Sequence, residues 1–310
     1  MIPRFCSYSQ IKTWLDCRRQ WAYKFRDGFR PKQPNLDFMR GSLLHLGMEH
    51  AIPGVEPDWW VYALKEWAEE WSFPGDELVV APDFYEGCKK IVEGAVEVFH
   101  QDWELLSDSK GPLLERRFYV DLPGWRGLIF IPDAVCRKKT EPYAGGIFGV
   151  DFKSFGKPKE ELAGELDLQG AIYQRGLREK GLGAIGTCLF EIAAQPPKTA
   201  RVNKDGTLNA TDERMILSWK AVPGQILTYR SEEFLDGVWN QLVLPTANEI
   251  AAQEELRSLV GDTQLIPHLT YYGCKYCDFR TPCLARLKGL DEDAILQDTY
   301  NRREKRQKGA

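Results

Sequence analysis

Side chains suited to metal-assisted hydrolysis occur close together in the middle of the chain. Asp133, directly after a proline, closes one predicted strand, and Asp151 and Lys153 close the next. Residues two apart on a strand point to the same face, so Asp151 and Lys153 share a face that Asp133 can approach from the neighbouring strand. Two carboxylates at a sheet edge suit Mg²⁺ or Mn²⁺, and a lysine beside them suits a nucleophilic water or a phosphate.

Two further features bear on this acidic site. Gln169 and Tyr173 lie four residues apart on a predicted helix, so they share one face and suit phosphate oxygens or base edges. His45, in another predicted helix, would complete a metal site as an imidazole ligand. Each feature also has an ordinary structural explanation: surface charges for the Asp-x-Lys pair, an amphipathic helix for the Gln–Tyr pair and a core histidine for His45.

The eight cysteines are unevenly distributed, with Cys274, Cys277 and Cys283 packed together near the C-terminus. In a reducing compartment, such a trio indicates a metal site rather than disulfides. The C-x-x-C spacing suits either tetrahedral zinc or an iron–sulfur cluster. A fourth ligand is needed, and Cys17 on the first predicted helix is the distant candidate. Three reduced, partly buried thiols are the structural alternative.

Hydrophobic periodicity predicts the elements that must position these groups. Helices are predicted over residues 9–25 (with Ser9 as N-cap), 41–50, 59–71, 84–103, 160–178 and 231–256. Strands are predicted over residues 113–120, 127–136, 146–153, 184–192 and 215–221, with a hairpin turn at 203–206. The first three strands are expected to lie in one sheet. This order indicates a mixed α/β core with a helical N-terminal insertion and a C-terminal appendage.

Composition excludes several classes of protein. Hydrophobic residues make up 43% of the 310 residues and charged residues 28%, so the chain can build a sizeable core and is not a disordered protein. The net charge of −4 argues against binding nucleic acid through bulk charge, but not against a local basic groove. The sequence has neither a long apolar run nor a signal peptide, so we expect a cytoplasmic protein without a membrane partner.

Taken in order, these motifs resemble those of the RecB-type branch of the PD-(D/E)xK nuclease superfamily. That branch includes CRISPR-associated adaptation exonucleases, AddAB-type helicase–nucleases and phage exonucleases. The resemblance rests on His45, Asp133, Asp151-x-Lys153, Gln169-x3-Tyr173, Cys17 with Cys274-x2-Cys277-x5-Cys283, and the opening Ser7-Tyr8-Ser9-Gln10-Ile11. It spans residues 7 to about 285, nearly the whole chain.

The resemblance implies an α/β fold with a restriction-endonuclease-like core, which is a mixed central sheet flanked by helices. It implies a single nuclease domain over residues 1–285, followed by a charged helix or tail over 286–310. Within that domain, the expected parts are a helical region over 38–110, the nuclease core over 111–225, and a C-terminal helix with the iron–sulfur cysteine region over 230–285.

The resemblance also implies a role for each motif residue. The catalytic residues would be Asp133, Asp151 and Lys153. The metal ligands would be His45, Asp133, Asp151 and the backbone carbonyl of Phe152. Gln169 and Tyr173 would contact DNA. The ligands of a [4Fe–4S] cluster would be Cys17, Cys274, Cys277 and Cys283. Many members carry glutamate where this chain has Asp151, a difference that bears on metal preference.

The activity expected from the resemblance is that of a metal-dependent DNA exonuclease in recombination, repair or phage DNA processing. Its cofactors would be Mg²⁺ or Mn²⁺ and the [4Fe–4S] cluster. Its partners would be single-stranded DNA or duplex ends, together with recombination or replication proteins. Two alternatives remain open: a non-catalytic nucleic-acid-binding subunit of the same fold, and a zinc-stabilised nuclease-like protein. The sequence has no Walker A motif, so it encodes no ATP motor.

Overall fold

The structure is a computed structural model of the chain. It describes residues 5–32, 36–54, 57–71, 82–155, 164–193, 224–261, 271–275 and 277–302. The chain divides into two compact units, each built from separate segments. The first unit contains residues 1–35, 119–130 and 233–310, and the second contains residues 36–118 and 131–232. No helix in the described ranges is both long and apolar enough to span a bilayer.

Helices and strands are numbered in chain order. The α-helices are α1 (Tyr8–Asp16), α2 (Arg18–Trp21), α3 (Leu36–Ala51), α4 (Trp59–Trp71), α5 (Pro82–Asp102), α6 (Leu168–Glu179), α7 (Glu232–Val238), α8 (Leu244–Val260), α9 (Tyr271–Lys275), α10 (Arg280–Leu287) and α11 (Glu292–Thr299). The strands are β1 (Cys6–Ser7), β2 (Phe29–Pro31), β3 (Trp103–Leu105), β4 (Ser107–Asp108), β5 (Gly111–Pro112), β6 (Phe118–Val120), β7 (Leu128–Phe130), β8 (Ala134–Lys138), β9 (Ile147–Phe155), β10 (Gly186–Ala193), β11 (Gly224–Thr228) and β12 (Tyr300–Arg302). Single π-helical turns occupy Ala22–Arg26 and Trp239–Val243.

A five-stranded mixed sheet forms the centre of the second unit, in the order β11-β10-β9-β8-β3. The strands β9 and β10 run parallel, and the other neighbouring pairs are antiparallel. The crossover between β9 and β10 contains α6, which packs against both strands. The mixed α/β core predicted from the order of elements is therefore confirmed.

The two faces of β9 have different environments because side chains alternate along a strand. Phe148, Val150 and Phe152 belong to the main hydrophobic core, which also includes buried residues of α3 and α5. Asp151 and Lys153, at the alternate positions, point to the opposite face. Because the apolar side chains at alternate positions of β9 are buried in the core, the side chains of Asp151 and Lys153 must point to the other face.

The helices α3 and α5 approach each other closely at Gly47. A Cβ atom at this position would come within 2.7 Å of the Val92 side chain, so only glycine fits without a shift. This close approach holds α3, which carries His45, against the core.

The first unit contains the N-terminal helices and the C-terminal segment. A short sheet joins its strands in the order β1-β7-β6, and β2 pairs with β12 in an antiparallel ribbon. Trp14 and Trp21 are buried with Ile250 of α8, and the indole of Trp14 donates a hydrogen bond to Glu249. These contacts hold α1 against α8 within the unit.

Several sequence predictions differ from the structure. The predicted helix over 9–25 starts at Tyr8 with Ser7, not Ser9, as its N-cap, because the Ser7 side chain accepts a hydrogen bond from the Gln10 amide. It breaks at Cys17, which is extended. The predicted strand at 215–221 and the turn at 203–206 lie outside the described residues.

The prediction that the first three strands share one sheet was right only in part. The segments 127–136 and 146–153 pair through β8 and β9, and Leu114 forms a single bridge to Ala134 of β8, but the rest of the first two segments lies elsewhere. The segment 113–120 is strand only at Phe118–Val120, because Glu115 adopts a positive φ of 47° that interrupts the extended backbone. The segment 127–136 forms two strands separated by Ile131-Pro132-Asp133, where proline removes a ladder donor. The strands before that interruption, β6 and β7, belong to a different sheet from β8 and β9.

Candidate functional site

The predicted catalytic residues come together where β8 begins beside the middle of β9. Asp133 lies in the bend before β8, and Asp151 and Lys153 lie within β9. The strands are antiparallel, with Ala134 opposite Val150, so continuing the register by one residue puts Asp133 opposite Asp151. Both carboxylates are buried, at 8% and 4% exposure. The register explains why residues far apart in the sequence form one acidic site.

A polar network connects Asp151, Lys153 and Gln169. The Lys153 ammonium lies 2.6 Å from Asp151 Oδ2 and donates a hydrogen bond to Gln169 Oε1 at 3.3 Å. The Gln169 amide donates in turn to Asp151 Oδ1 at 3.0 Å. Gln169 stands in the first turn of α6, which begins at an N-cap, Asp167. The capped start of the helix therefore fixes Gln169 at the lysine–carboxylate pair.

Tyr173 lies one turn after Gln169 and is almost fully buried, at 4% exposure. Its hydroxyl accepts a hydrogen bond from the Gln169 amide and donates one to the Ile131 carbonyl, both at 2.6 Å. Ile131 belongs to the bend that carries Asp133. Tyr173 therefore holds two parts of the site in place. The DNA contact expected for this residue stays a prediction.

His45 completes one side of the acidic site. Its Nδ1 lies 3.5 Å from Asp133 Oδ2, and its ring packs edge-on against Phe152 at a centroid distance of 6.2 Å. The Phe152 amide donates a hydrogen bond to Asp133. Burial, and secondarily the Lys153 charge, lower the pKa of His45 to about 4. The imidazole is thus neutral at neutral pH, the form that ligates metals.

Glu115 is a site residue that sequence reasoning missed. Ligand atoms of His45, Glu115 and Asp133 all lie within 4.8 Å of one another, a spacing that could hold one metal ion. The only sequence signal is that Glu115, Arg116 and Arg117 break the apolar pattern of the predicted strand. The positive φ that directs Glu115 to the site has no signature in the sequence.

The carboxyl groups of the acidic site lie close together, and their pKa values are raised. Burial raises the pKa of Asp133 to about 6, and burial together with the Asp133 charge raises the pKa of Asp151 to about 7. Loss of hydration at the Glu115 carboxyl and repulsion from Asp133 raise the pKa of Glu115, which shares a hydrogen bond with Asp133. The Lys153 pKa is lowered by burial but raised more by Asp151 and Asp133, so its net shift is upward. Converging carboxyl groups that retain protons are the environment that a cation stabilises.

These shifts predict an unusual pH dependence for the metal-free protein. An unfolded aspartate has a pKa of about 3.9. Above that value and up to the raised pKa of Asp151, the folded protein binds more protons than the unfolded chain, so this group makes stability fall as the pH rises. Asp151→Asn should therefore be more stable than the wild type at neutral pH without metal, by on the order of 2 kcal/mol, and the difference should vanish near pH 4.

Thermal melting in EDTA across that pH range measures this difference. Added Mg²⁺ should raise the melting temperature of the wild type at neutral pH and should raise that of Asp151→Asn much less, because a ligand stabilises only the state that binds it. A variant that is less stable than the wild type at every pH would show that Asp151 has a purely structural role.

A second cluster of chemically active residues lies in the first unit. The four predicted cluster ligands, Cys17, Cys274, Cys277 and Cys283, line a single cavity of about 50 Å³. That volume exceeds the 10–15 Å³ or so that one water molecule requires. One wall is aromatic: Cys277 and Cys283 pack against a buried cluster in which Phe279 stacks between Tyr23 and Tyr300. The other four cysteines, Cys6, Cys88, Cys136 and Cys188, are buried elsewhere.

The sulfurs around this cavity form no tight group of three. Within the described part of the chain, the only group of three ligand atoms lying within 4.8 Å of one another is that of His45, Glu115 and Asp133. No three of the cysteine sulfurs therefore reach that spacing. Sulfurs bound to one tetrahedral zinc ion at 2.3 Å would lie only about 3.8 Å apart.

Comparison with models of protein families identifies the family of the chain. Residues 6–284 match the family model of the PD-(D/E)XK nuclease superfamily. A search of curated proteins finds no match for the chain. The matched range contains every residue of the acidic site and all four cysteines of the cavity. Because the family model covers most of its length, the chain belongs to the PD-(D/E)XK nuclease superfamily.

Proposed function

We propose that this protein is a DNA exonuclease of the RecB-type branch, with its active site at Asp133, Asp151 and Lys153. Membership of the superfamily implies hydrolysis of phosphodiester bonds with Mg²⁺ or Mn²⁺. The observation that carries the proposal is the convergence of a buried carboxylate pair, an ion-paired lysine and a neutral histidine where β8 begins beside β9. An intact acidic site also speaks against the non-catalytic alternative.

The acidic site suits a divalent cation in its chemistry. His45, Asp133 and Asp151 would hold the ion with the Phe152 carbonyl, as the resemblance implies, and Glu115 adds a carboxylate within reach of His45 and Asp133. A bound Mg²⁺ or Mn²⁺ would stabilise negative charge on the phosphate. Lys153, fixed by Asp151 and Gln169, would hold the attacking water or a phosphate oxygen through its ammonium group.

Glu115→Gln tests whether Glu115, which the sequence did not predict as a site residue, is a metal ligand. The substitution keeps the size of the side chain but removes its negative charge, so half-maximal activity should require roughly tenfold more Mg²⁺, with less change at saturating metal. Glu104→Gln is the matched control, because Glu104 forms a surface ion pair with Arg137. If both variants titrate with Mg²⁺ like the wild type, Glu115 is not a ligand.

Gln169 and Tyr173 are proposed to have complementary roles in DNA cleavage. Gln169 is half-buried and would contact DNA, whereas the burial of Tyr173 favours a positioning role. Tyr173→Phe removes the hydroxyl that donates to the Ile131 carbonyl and should lower kcat about fivefold, since a net hydrogen bond contributes about 1 kcal/mol. Tyr62→Phe, at an exposed tyrosine, is the control. An unchanged kcat for Tyr173→Phe would contradict this role.

We propose that the cavity in the first unit holds a structural [4Fe–4S] cluster ligated by Cys17, Cys274, Cys277 and Cys283. Two observations support a metal site: the four thiols line one cavity, and that cavity exceeds the volume of a water molecule. The cysteine spacing suits a cluster and zinc alike, and the choice of a cluster rests on the resemblance. Zinc remains the alternative that elemental analysis of the anaerobically purified protein decides.

Exonuclease activity and the biological role are the finer parts of the proposal. We expect the substrate to be single-stranded DNA or duplex ends, in recombination, repair or phage DNA processing, with recombination or replication proteins as partners in the cytoplasm. Residues 1–285 are proposed to work as one nuclease domain, since the family match covers segments of both units. Incubation with linear and with covalently closed circular DNA tests whether cleavage needs a free DNA end. An exonuclease degrades only the linear form, whereas cleavage of circles would identify an endonuclease.

A further inference from the structure

Arg19 is a buried cation that lines the cysteine cavity. It lies two residues after Cys17, and its side chain is only 8% exposed. Of the two arginines lining the cavity, Arg280 is exposed to solvent, where water screens its charge. Arg19 is thus placed where its charge acts strongly on any anion in the cavity.

Neighbouring side chains fix the Arg19 guanidinium. Its Nε donates a hydrogen bond to the Tyr23 hydroxyl at 2.8 Å, and its Nη2 donates to both carboxylate oxygens of Glu292, at 3.0 and 3.1 Å. Tyr23 and Arg286 also donate to Glu292. Two arginines therefore share one carboxylate, and the group formed by Arg19, Arg286 and Glu292 keeps a net charge of +1.

Four thiolates around an iron–sulfur core leave a net negative charge, and reduction makes that charge larger. We propose that Arg19 is the charge partner of the group bound by the four cysteines and raises its reduction potential, with Glu292 as an opposing anion. This inference rests on the cluster proposed above. It assigns Arg19 a role toward the cluster and none in the chemistry at the acidic site.

Arg19 and Glu292 belong to one hydrogen-bonded group, so substituting each of them in turn changes the charge beside the cavity in opposite directions. Arg19→Gln removes a positive charge beside the cavity, so the midpoint reduction potential of the cluster should shift to more negative values. Glu292→Gln removes the opposing negative charge, so the potential should shift to more positive values. Arg19→Lys keeps the charge and should lie nearer the wild type than Arg19→Gln.

Arg18→Gln is the matched control. Arg18 is adjacent to Cys17 and carries the same charge, but its side chain is 56% exposed and pairs with Glu249 at 2.8 Å. Its removal should leave the potential unchanged. A purely structural role for Arg19 predicts a different pattern, in which Arg19→Gln and Glu292→Gln both lose iron and move the potential in the same direction.

The experiment is an anaerobic redox titration of each purified full-length variant, followed by optical and paramagnetic resonance spectra, with iron and sulfide measured per chain. Shifts of opposite sign for Arg19→Gln and Glu292→Gln are the expected result. Equal potentials at full iron content would overturn the role of Arg19 and leave the cluster intact. A wild-type protein without iron would overturn the cluster itself. If Arg19→Gln does not retain iron, a potential for Glu292→Gln that is not more positive than the wild type overturns the inference.

Discussion

Asp151→Asn should lower the rate of DNA cleavage by about three orders of magnitude or more, because both metal binding and the position of Lys153 depend on this carboxylate. Asparagine has almost the same shape, so it can still accept the hydrogen bond from Gln169 and should leave the fold intact. It removes the negative charge that holds the ammonium at 2.6 Å. Single-turnover cleavage of labelled DNA at saturating Mg²⁺ measures the effect.

Asp102→Asn is the matched control for this substitution. Asp102 also pairs with a lysine in the same unit, Lys138, at 3.3 Å, but the pair lies outside the acidic site. Its loss should affect stability without removing cleavage. Wild-type cleavage by Asp151→Asn protein would show that the reaction takes place elsewhere. Loss of cleavage in both variants would indicate that general destabilisation causes the effect.

Cys17→Ala should lower iron content and strongly reduce the stability of the protein. Cys17 and the three C-terminal cysteines lie near opposite ends of the sequence, so a cluster that uses all four closes a very long loop. Such a closure contributes about 5–6 kcal/mol to stability in the chain-entropy model, and the metal–thiolate bonds add to it. DNA cleavage should fall as a consequence, although Cys17 takes no part in the chemistry.

Cys6→Ala is the control for this experiment. Cys6 is fully buried in the same unit, and burial raises the pKa of its thiol to about 12, so the thiol stays protonated. Its replacement should leave iron content unchanged. Elemental analysis and thermal melting of both variants decide the result. Full iron content in Cys17→Ala would remove Cys17 from the ligand set, and zinc in place of iron would remove the cluster assignment.

The acidic site was largely predictable from spacing. Asp151 and Lys153 had to share a face of a strand, and Gln169 and Tyr173 had to share a face of a helix. Such short-range periodicities survive folding because they follow from local backbone geometry. The place of Asp133 depended on pairing between neighbouring strands, and the structure provides that pairing through β8 and β9.

The parts that were not predictable depend on local backbone breaks and long-range contacts. Glu115 reaches the site through a positive φ that a non-glycine residue rarely adopts, so the alternating pattern predicted a strand instead. Hydrophobic periodicity likewise does not predict that β6 and β7 belong to a sheet separate from that of β8, because it carries no information on which strands pair. The contacts of Arg19 with Glu292 join residues far apart in the sequence, and no spacing rule relates them.

The most direct measurement is the digestion of end-labelled single-stranded and double-stranded DNA by the purified protein, with Mg²⁺, with Mn²⁺ and with EDTA. A metal-dependent nuclease whose site is formed by Asp133, Asp151 and Lys153 should degrade at least one substrate with either ion, and EDTA and Asp151→Asn should each abolish the degradation. Degradation that persists in EDTA, or intact DNA under every metal condition with folded protein, would contradict the proposed function.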